Sequence, residues 1–184
     1  MSVLEILAVA VSFLGIWLTA KRWVLCWPVS FVACALYAKI FFDVRLYADM
    51  VLQGVFALFI VYGWIVWVRS KEAAGDLSVQ ALPVAQAVAG LTAGAFGALA
   101  IGWLLSRHTD ASVPWMDAAL SSFSLVAQYW TARRHAESWL LWIIVDAFYV
   151  AMFAFKELWL TAGLYGAMGI LAIIGLQRWR RVTT

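Results

Sequence analysis

Long apolar runs separated by short polar connections dominate the pattern of this chain. A helix needs roughly 17–25 residues to cross the hydrocarbon core of a bilayer, and seven runs have that length. They lie near residues 3–20, 23–42, 46–68, 81–105, 113–132, 138–155 and 158–177. Several of the connections between them are very short, such as Lys21-Arg22 and Lys156-Glu157. The pattern therefore predicts an all-α integral membrane protein with seven transmembrane helices.

The first and last thirds of the chain match when the sequence is shifted by 112 residues without a gap. The coinciding residues are Thr19-Ala20 with Thr131-Ala132, Lys21-Arg22 with Arg133-Arg134, Trp27 with Trp139, Tyr37 with Tyr149, Gly63 with Gly175, and Trp67 with Trp179. We interpret this as a duplication, with a first three-helix repeat at 3–68, a connector helix at 81–105 and a second repeat at 113–178. The shift moves an even number of spans, so both halves point the same way through the membrane. The chain is thus predicted to be a single membrane domain, residues 1–184, made of two parallel three-helix bundles joined by a connector helix.

Composition supports a membrane protein. Hydrophobic residues make up 66% of the 184 residues and charged ones 12%, whereas a soluble domain is about half apolar and a quarter charged. The segment from Met1 to Ala20 lacks a basic start, so we do not expect it to be a cleaved signal peptide. The net charge of +3 is small and the basic residues cluster at span ends. This distribution indicates membrane topology and not nucleic-acid binding.

The positions of the basic residues predict the orientation. With the N-terminus outside, the inner connections carry Lys21, Arg22, Arg69, Lys71, Arg133, Arg134, Arg178, Arg180 and Arg181. The outer segments carry Lys39, Arg45, Arg107 and Lys156. The positive-inside rule then predicts an outer N-terminus and a cytoplasmic C-terminus in a bacterial inner membrane. We interpret most of the tryptophans near predicted span ends as interfacial anchors, namely Trp23, Trp27, Trp64, Trp67, Trp103, Trp115, Trp139, Trp159 and Trp179.

The connector helix is rich in alanine and glycine. Gly90, Gly94, Gly97 and Gly102 would let another helix approach its backbone closely. We expect this helix to be wedged between the two bundles, and a homodimer face is the alternative.

The sixth span carries the most informative charge. Asp146 lies ~12 Å along that span at 1.5 Å per residue, where a carboxylate is costly and normally faces a partner or a cavity. Trp139, Trp142, Tyr149 and Phe153 recur at helical spacing on the same face. Aromatic rings around an acid suit a flat cationic ligand, through cation–π attraction and charge pairing. An aspartate bonded to a neighbouring helix for packing is the alternative.

The equivalent face of the first repeat keeps the aromatic residues but not the acid, because Cys34 occupies the place of Asp146. Tyr37 lies on that face and is a further candidate. Gln53 is deep enough to bond a substrate amide or hydroxyl, while Asp49, one turn earlier, could instead be solvated. Tyr165 takes the place of Gln53 in the second repeat. The candidates in the fifth span form a polar stripe that either lines the pathway or joins helices, and they are Asp117, Ser121, Ser124 and Gln128.

Catalytic and cofactor motifs are missing from the sequence. The chain has no phosphate-binding G-x-x-x-x-G-K-[ST] motif, and its two histidines, His108 and His135, fall in connections without a nearby cysteine. We therefore predict no enzyme activity, no metal and no cofactor.

Two stretches resemble the PnuC vitamin transporters. Leu46-Tyr47-Ala48-Asp49, Gln53 and Tyr62-Gly63-Trp64 resemble the signature of the family's first repeat. Trp139-Leu140-Leu141-Trp142, Asp146 and Leu158-Trp159-Leu160-Thr161-Ala162 resemble the second, and the resemblance covers nearly the whole chain.

The resemblance implies the arrangement of the SWEET sugar transporters, three helices, a connector and three helices. It also implies import of nicotinamide riboside by facilitated diffusion, with phosphorylation inside the cell trapping the vitamin. It supports Trp139, Trp142, Asp146, Tyr149 and Gln53 as substrate-binding residues.

The substrate stays open between two cationic aromatic vitamins. Some members of the family carry Asn where this chain has Asp146, and related transporters take thiamine. Nicotinamide riboside is therefore the first expectation and thiamine the alternative. A membrane scaffold or sensor would need larger loops, and a sugar transporter would be expected to have more asparagine, which this chain lacks altogether.

Overall fold

The computed structural model describes residues 3–43, 47–74, 77–108, 113–155 and 157–182, without the side chains of residues 47–49 and 74. Its helices are α1 (Val3–Ala20), α2 (Cys26–Asp43), α3 (Tyr47–Ala74), α4 (Val84–His108), α5 (Pro114–Ala132), α6 (Ser138–Phe155) and α7 (Trp159–Arg180). The predicted all-α architecture with seven helices is confirmed. In the described ranges, the structure also has an isolated β-bridge between Gln80 and His135.

Six of these helices are long and apolar enough to cross a membrane, and α5 is the one that falls short of that apolarity. The reason is the polar stripe of α5, which includes Asp117 and Gln128. The same helix buries much of its length inside the protein, including three serines and Trp130. Because α5 is enclosed by other helices, its polar residues need not face lipid.

Six helices form a closed ring in the order α1, α2, α3, α5, α6 and α7, and α7 returns to pack against α1. The first three belong to the proposed first repeat and the last three to the second. The halves therefore meet along two seams, one between α3 and α5 and the other between α1 and α7.

The connector α4 packs against α5 on the outside of this ring. A Cβ atom added at Gly90 would lie 2.9 Å from the Trp130 ring, and one at Gly94 would lie 2.7 Å from Phe123. The predicted close-packing face of α4 is thus confirmed, and its partner is α5. The expectation that α4 is wedged between the two bundles is wrong, since among the described residues it makes no comparable contact with any other helix.

The turns after α1 and α5 have the same geometry. Arg22 and Arg134, which the shift of 112 residues superposes, both adopt a left-handed conformation, with φ of 59° and 65°. Their backbone N–H groups donate to the carbonyls of Thr19 and Thr131, at 2.9 and 3.0 Å. The turn after α6 has the same geometry at Glu157, with φ of 60° and an N–H bond to the Ala154 carbonyl at 3.0 Å, so this helix ending is not specific to the proposed duplication. We call the end of the ring that carries the turns after α1 and α5 the basic end.

A layer of four tryptophans fills the ring near the basic end. Trp27 and Trp67 meet edge to face at 5.3 Å and 87°, and Trp139 and Trp179 repeat that geometry at 5.5 Å and 87°. Trp67 and Trp179 join the two pairs at 6.0 Å. All four side chains are buried. The prediction that tryptophans at span ends are interfacial anchors is therefore wrong for these four, which form core contacts between helices.

The segment between α3 and α4, residues 77–82, crosses the basic end and contacts both halves. We call it the strap. Leu77 and Val79 bury their side chains in the core around the tryptophan layer. Arg22 Nη1 donates to the Leu77 carbonyl at 2.7 Å, and Glu137 Oε2 accepts from Leu82 N–H at 3.0 Å. The strap thus ties the first-half turn to the second-half turn.

Candidate ligand cavity

A cavity of about 700 Å³ lies inside the six-helix ring. The residues that line it are Ile16 and Thr19 of α1; Trp27, Ser30 and Phe41 of α2; Leu52, Gln53 and Phe56 of α3; Asp117, Ser121, Ser124, Gln128 and Thr131 of α5; Trp139, Trp142, Asp146, Tyr149 and Phe153 of α6; and Tyr165, Met168 and Ala172 of α7. Its volume falls within the roughly 300–1,000 Å³ typical of small-molecule sites.

The predicted stripe of α6 faces the cavity along its whole length. Its five members occupy one side of the helix because their spacing follows the helical period. Trp142 is oriented by a chain of hydrogen bonds, in which its Nε1 donates to Thr131 Oγ1 at 3.3 Å and Thr131 Oγ1 donates to the Ala127 carbonyl at 2.9 Å. The neighbouring helix therefore helps to fix the ring of Trp142 at the cavity wall.

Two tryptophans at the cavity wall have unused donors. The indole nitrogens of Trp27 and Trp139 are buried and have no hydrogen-bond partner among the described residues. Protein atoms enclose both nitrogens, so a ligand cannot reach these N–H groups in this conformation. Buried donors without a partner are costly, and both rings belong to the tryptophan layer at the basic end.

Asp146 is buried, with 6% of its surface exposed, and lines the cavity. It packs against α7 at Gly169, where an added Cβ would lie 3.6 Å from the Asp146 Cβ. Within the described part of the chain, the cavity wall contains two carboxylates, Asp146 and Asp117, and neither lysine nor arginine. An acid in such surroundings favours a cationic ligand, which can supply the missing positive charge.

Three aromatic rings stack on one another in the same cavity wall as Asp146. Tyr149 and Tyr165 stack with ring centroids 4.4 Å apart and 23° between their planes, and Phe153 stacks on both, at 5.9 and 5.3 Å. The Tyr149 hydroxyl interacts with Ser121 and Ser124 of α5. The stack offers a flat apolar surface, and the two serine hydroxyls help to hold the Tyr149 ring in place.

The sequence left two roles open for the polar residues of α5, lining the pathway or joining helices, and the structure shows both. Asp117, Ser121, Ser124 and Gln128 face the cavity. Ser122 lies on another face and donates to the Gly94 carbonyl of α4 at 2.8 Å. The stripe identified from the sequence therefore lines the cavity, while its neighbour joins helices.

The candidates of the first half are more mixed. Gln53 lines the cavity, but Tyr37 is not among the described lining residues and instead stacks on Phe41 at 6.0 Å. Cys34 packs against the core around the tryptophan layer. The side chain of Asp49 lies outside the described residues, so its predicted role stays a prediction.

Several lining residues carried no signal in the sequence. Thr19 and Thr131 follow apolar stretches at equivalent positions, and each hydroxyl donates to a carbonyl one turn earlier in its own helix. Leu52, Phe56 and Met168 look like ordinary lipid-facing residues in a sequence of this composition. The matched pair of threonines was visible in the repeat, but nothing in it distinguished a lining residue from a structural one.

A ring of membrane-spanning helices around a ligand-sized, partly polar cavity defines a multi-pass membrane transporter. Residues 2–181 match the family model described as "Nicotinamide mononucleotide transporter", and the chain therefore belongs to that family.

Two curated relatives and one solved structure extend this comparison. The nicotinamide riboside transporter PnuC of Escherichia coli (strain K12) is 24% identical over 169 residues, which cover 78% of this chain and 71% of the relative. The riboflavin/roseoflavin transporter RibM of Streptomyces davaonensis is 30% identical over 156 residues, covering 83% of this chain and 73% of the relative. The crystal structure of the vitamin B3 transporter PnuC matches the fold with a TM-score of 0.73 at 23% identity, over 97% of this chain and 83% of that chain. These relatives are transporters and not enzymes, and their names show that substrates vary among them.

Proposed function

We propose that the protein imports nicotinamide riboside across a bacterial inner membrane. The observation that carries this proposal is the buried Asp146, which lines an aromatic cavity that contains no described cationic side chain. Nicotinamide riboside is a nucleoside whose pyridinium ring is flat and positively charged. Stacking on aromatic rings and pairing with a carboxylate are the interactions that such a ring forms best.

The same wall argues against a phosphorylated form of the substrate. A mononucleotide carries a phosphate, which would meet two carboxylates and no lysine or arginine among the described lining residues. Phosphate recognition in proteins usually relies on arginine, lysine or backbone N–H groups. The riboside therefore suits the cavity better than the mononucleotide.

Each group of lining residues has a proposed role. Trp139, Trp142 and Tyr149 stack on or enclose the aromatic ring, and Asp146 supplies the opposite charge. Gln53 and Gln128, on opposite halves of the ring, are positioned to bond the polar substituents. We propose that Tyr165 acts through its stack on Tyr149, and that Tyr37 supports Phe41 from behind.

Transport would follow from rocking of the two halves about their seams. The basic end is closed by the tryptophan layer and the strap, so the substrate would leave there after those contacts loosen. The positive-inside rule supports a cytoplasmic location for the basic end, with the N-terminus outside. Movement would be facilitated diffusion, and phosphorylation inside the cell would trap the riboside.

Uptake into reconstituted vesicles tests this proposal. Vesicles loaded with a riboside kinase and ATP should take up labelled nicotinamide riboside and accumulate the label, as the phosphorylated riboside, above the external concentration. Vesicles without the kinase should only equilibrate, since facilitated diffusion cannot concentrate a substrate. Accumulation against a gradient in the absence of the kinase would contradict the facilitated mechanism.

Riboflavin is the second candidate, because the relative RibM is named as a riboflavin/roseoflavin transporter and is 30% identical. Labelled riboflavin and thiamine should therefore be measured in the same vesicles, each with its own kinase inside. A neutral flavin can donate hydrogen bonds to a buried carboxylate but cannot pair with its charge, so we expect nicotinamide riboside to be preferred. Uptake of either other vitamin without uptake of nicotinamide riboside would replace the proposed substrate.

A further inference from the structure

A second cavity, of about 540 Å³, lies at the basic end beside the turn between α1 and α2. Three basic side chains line it, Lys21, Arg22 and Lys71, together with Trp23 and Leu25. We call it the basic cleft. It is separate from the ligand cavity, with which it shares no lining residue. We propose that the basic cleft binds the phosphate of an anionic phospholipid headgroup.

Contacts with neutral groups help to position Lys21 and Arg22 at the cleft. Lys21 Nζ lies 3.5 Å from the centroid of the Trp17 ring and 5.1 Å from that of Trp23. The Arg22 guanidinium is anchored by its bond to the Leu77 carbonyl at 2.7 Å. Neither Lys21 nor Lys71 forms an ion pair with a carboxylate in the described part of the chain. A phosphate diester is an anion that can bridge such a group of donors.

The rim of the cleft favours a lipid over a soluble phosphate ester. Trp23 and Leu25 are 54% and 57% exposed next to the cations. Exposed tryptophan at the end of a membrane span lies at the level of the headgroups, where one face meets acyl chains and the other meets polar groups. A ligand that carries both a phosphate and acyl chains satisfies the cations and covers the apolar rim together.

The corresponding turn of the second half has different surroundings, although its basic pair is retained. His135 stands where Trp23 stands in the first half, and it is buried with 3% exposed. There the strap occupies the space, since Gln80 N–H donates to the Arg134 carbonyl at 3.0 Å. The exposed tryptophan beside the basic pair is therefore particular to the first half, where it lines the cleft.

Native mass spectrometry of the purified protein in detergent tests the proposal. The wild-type protein should retain phosphatidylglycerol in preference to phosphatidylcholine. Each basic side chain near the surface is worth about a fivefold factor in binding to anionic lipid, so the double variant Lys21→Gln/Lys71→Gln should bind phosphatidylglycerol roughly 30-fold more weakly. The control Arg180→Gln/Arg181→Gln removes two exposed cations from α7 and its C-cap, outside the cleft, and should bind like the wild type.

Two results would overturn the proposal. Equal losses in both double variants would show a general charge effect and no specific site. Displacement of the lipid by glycerol 3-phosphate at the lipid's own concentration would assign the cleft to a soluble phosphate ester. If the Lys21→Gln/Lys71→Gln protein has a lower Tm, the single variant Lys71→Gln should be measured instead, because Lys71 is exposed. An unchanged affinity of this single variant for phosphatidylglycerol would also contradict the proposed site.

Discussion

At the scale of single residues, the difference between Asp146 and Cys34 is the main asymmetry within the proposed repeat. Asp146 lines the cavity, while Cys34 packs into the core near the tryptophan layer. The two halves thus share aromatic positions but place different chemistry at one position. An asymmetric ligand needs different partners at its two ends, which a perfectly symmetric cavity could not offer.

Replacing Asp146 by asparagine tests the role of its charge. Asp146→Asn keeps the size of the side chain and removes the negative charge that we expect to pair with the pyridinium ring. A hydrogen bond or ion pair to a charged group is worth about 1.5–3 kcal/mol, so the Kd for nicotinamide riboside should rise by roughly 10- to 150-fold. Isothermal titration of the detergent-solubilised protein gives this value directly.

The matched control is Cys34→Ser at the equivalent position of the first half, which should leave the Kd within about twofold, because Cys34 does not line the cavity among the described residues. A neutral analogue of the riboside should lose little affinity in Asp146→Asn. An unchanged Kd for the cationic ligand in that variant would remove Asp146 from the proposed site.

At the scale of the elements, the stripe of α6 was predictable from the sequence because its five members recur at helical spacing and include an acid. The burial of Trp67 and Trp179 was not predictable. A tryptophan at a span end has the same sequence signature whether it faces headgroups or the core, and only the edge-to-face pairs with Trp27 and Trp139 distinguish the two.

The position of α4 and the course of the strap also could not be predicted from the sequence. The glycines of α4 predict a close approach but do not name the partner helix, because any helix with a suitable surface can pack there. The sequence of the strap is short and mixes polar and apolar residues, as an ordinary connection does. The residues that anchor it, Arg22 and Glu137, are distant from it in sequence.

Glycines in α7 provide a test of packing between elements. A Cβ at Gly175 would lie 2.6 Å from Cδ2 of the buried Trp139 ring, closer than atoms can pack without movement. Gly175→Ala should therefore lower stability by about 1–3 kcal/mol, the usual cost of overpacking a core. Because Trp139 also lines the cavity, the variant should bind nicotinamide riboside more weakly.

Gly163 of the same helix is the matched control, since no atom lies within 4 Å of a Cβ added there. Gly163→Ala should keep both the Tm and the Kd of the wild type. Thermal unfolding in detergent and ligand titration measure the two effects. A Gly175→Ala protein as stable as Gly163→Ala would show that the α6–α7 contact is looser than the geometry indicates.

At the scale of the whole molecule, the two halves hold each other through two equivalent tryptophans. Trp67 of α3 donates from Nε1 to the Ala132 carbonyl at the end of α5, at 3.1 Å. Trp179 of α7 donates to the Thr19 carbonyl near the end of α1, at 3.2 Å. Each half therefore donates a hydrogen bond to the last turn of the other half's first helix, where the Thr19 carbonyl also accepts from the Arg22 N–H at 2.9 Å. The two bonds lie on the two seams about which the halves would rock.

Replacing each of these tryptophans by phenylalanine tests this exchange. Trp67→Phe and Trp179→Phe keep an aromatic ring. Trp67→Phe removes the indole donor of the buried Ala132 carbonyl, which costs about 1–3 kcal/mol. Trp179→Phe should cost less, because the Thr19 carbonyl still accepts from the Arg22 N–H at 2.9 Å. The two tryptophans are equivalent in the proposed repeat, but their acceptors differ by one position, since Ala132 corresponds to Ala20. Both variants should therefore lower the Tm, Trp67→Phe by the larger amount, and the double variant should lower it by about the sum. The losses should add because the bonds are on different seams, although the contact between the two rings allows a small coupling.

Trp103→Phe is the control, since Trp103 is 54% exposed on α4 and does not join the halves. A cysteine placed at Ser124, in the cavity, can be labelled by a membrane-impermeant thiol reagent applied from the basic end. If the two bonds also keep that end closed, the cysteine should be labelled faster in both test variants than in the control. Faster labelling in only one of the two variants would mean that the seams do not contribute equally to keeping the basic end closed. The halves would then be pivoting about one seam while the other opens, and the symmetric rocking proposed for this protein would have to be replaced by a one-sided hinge.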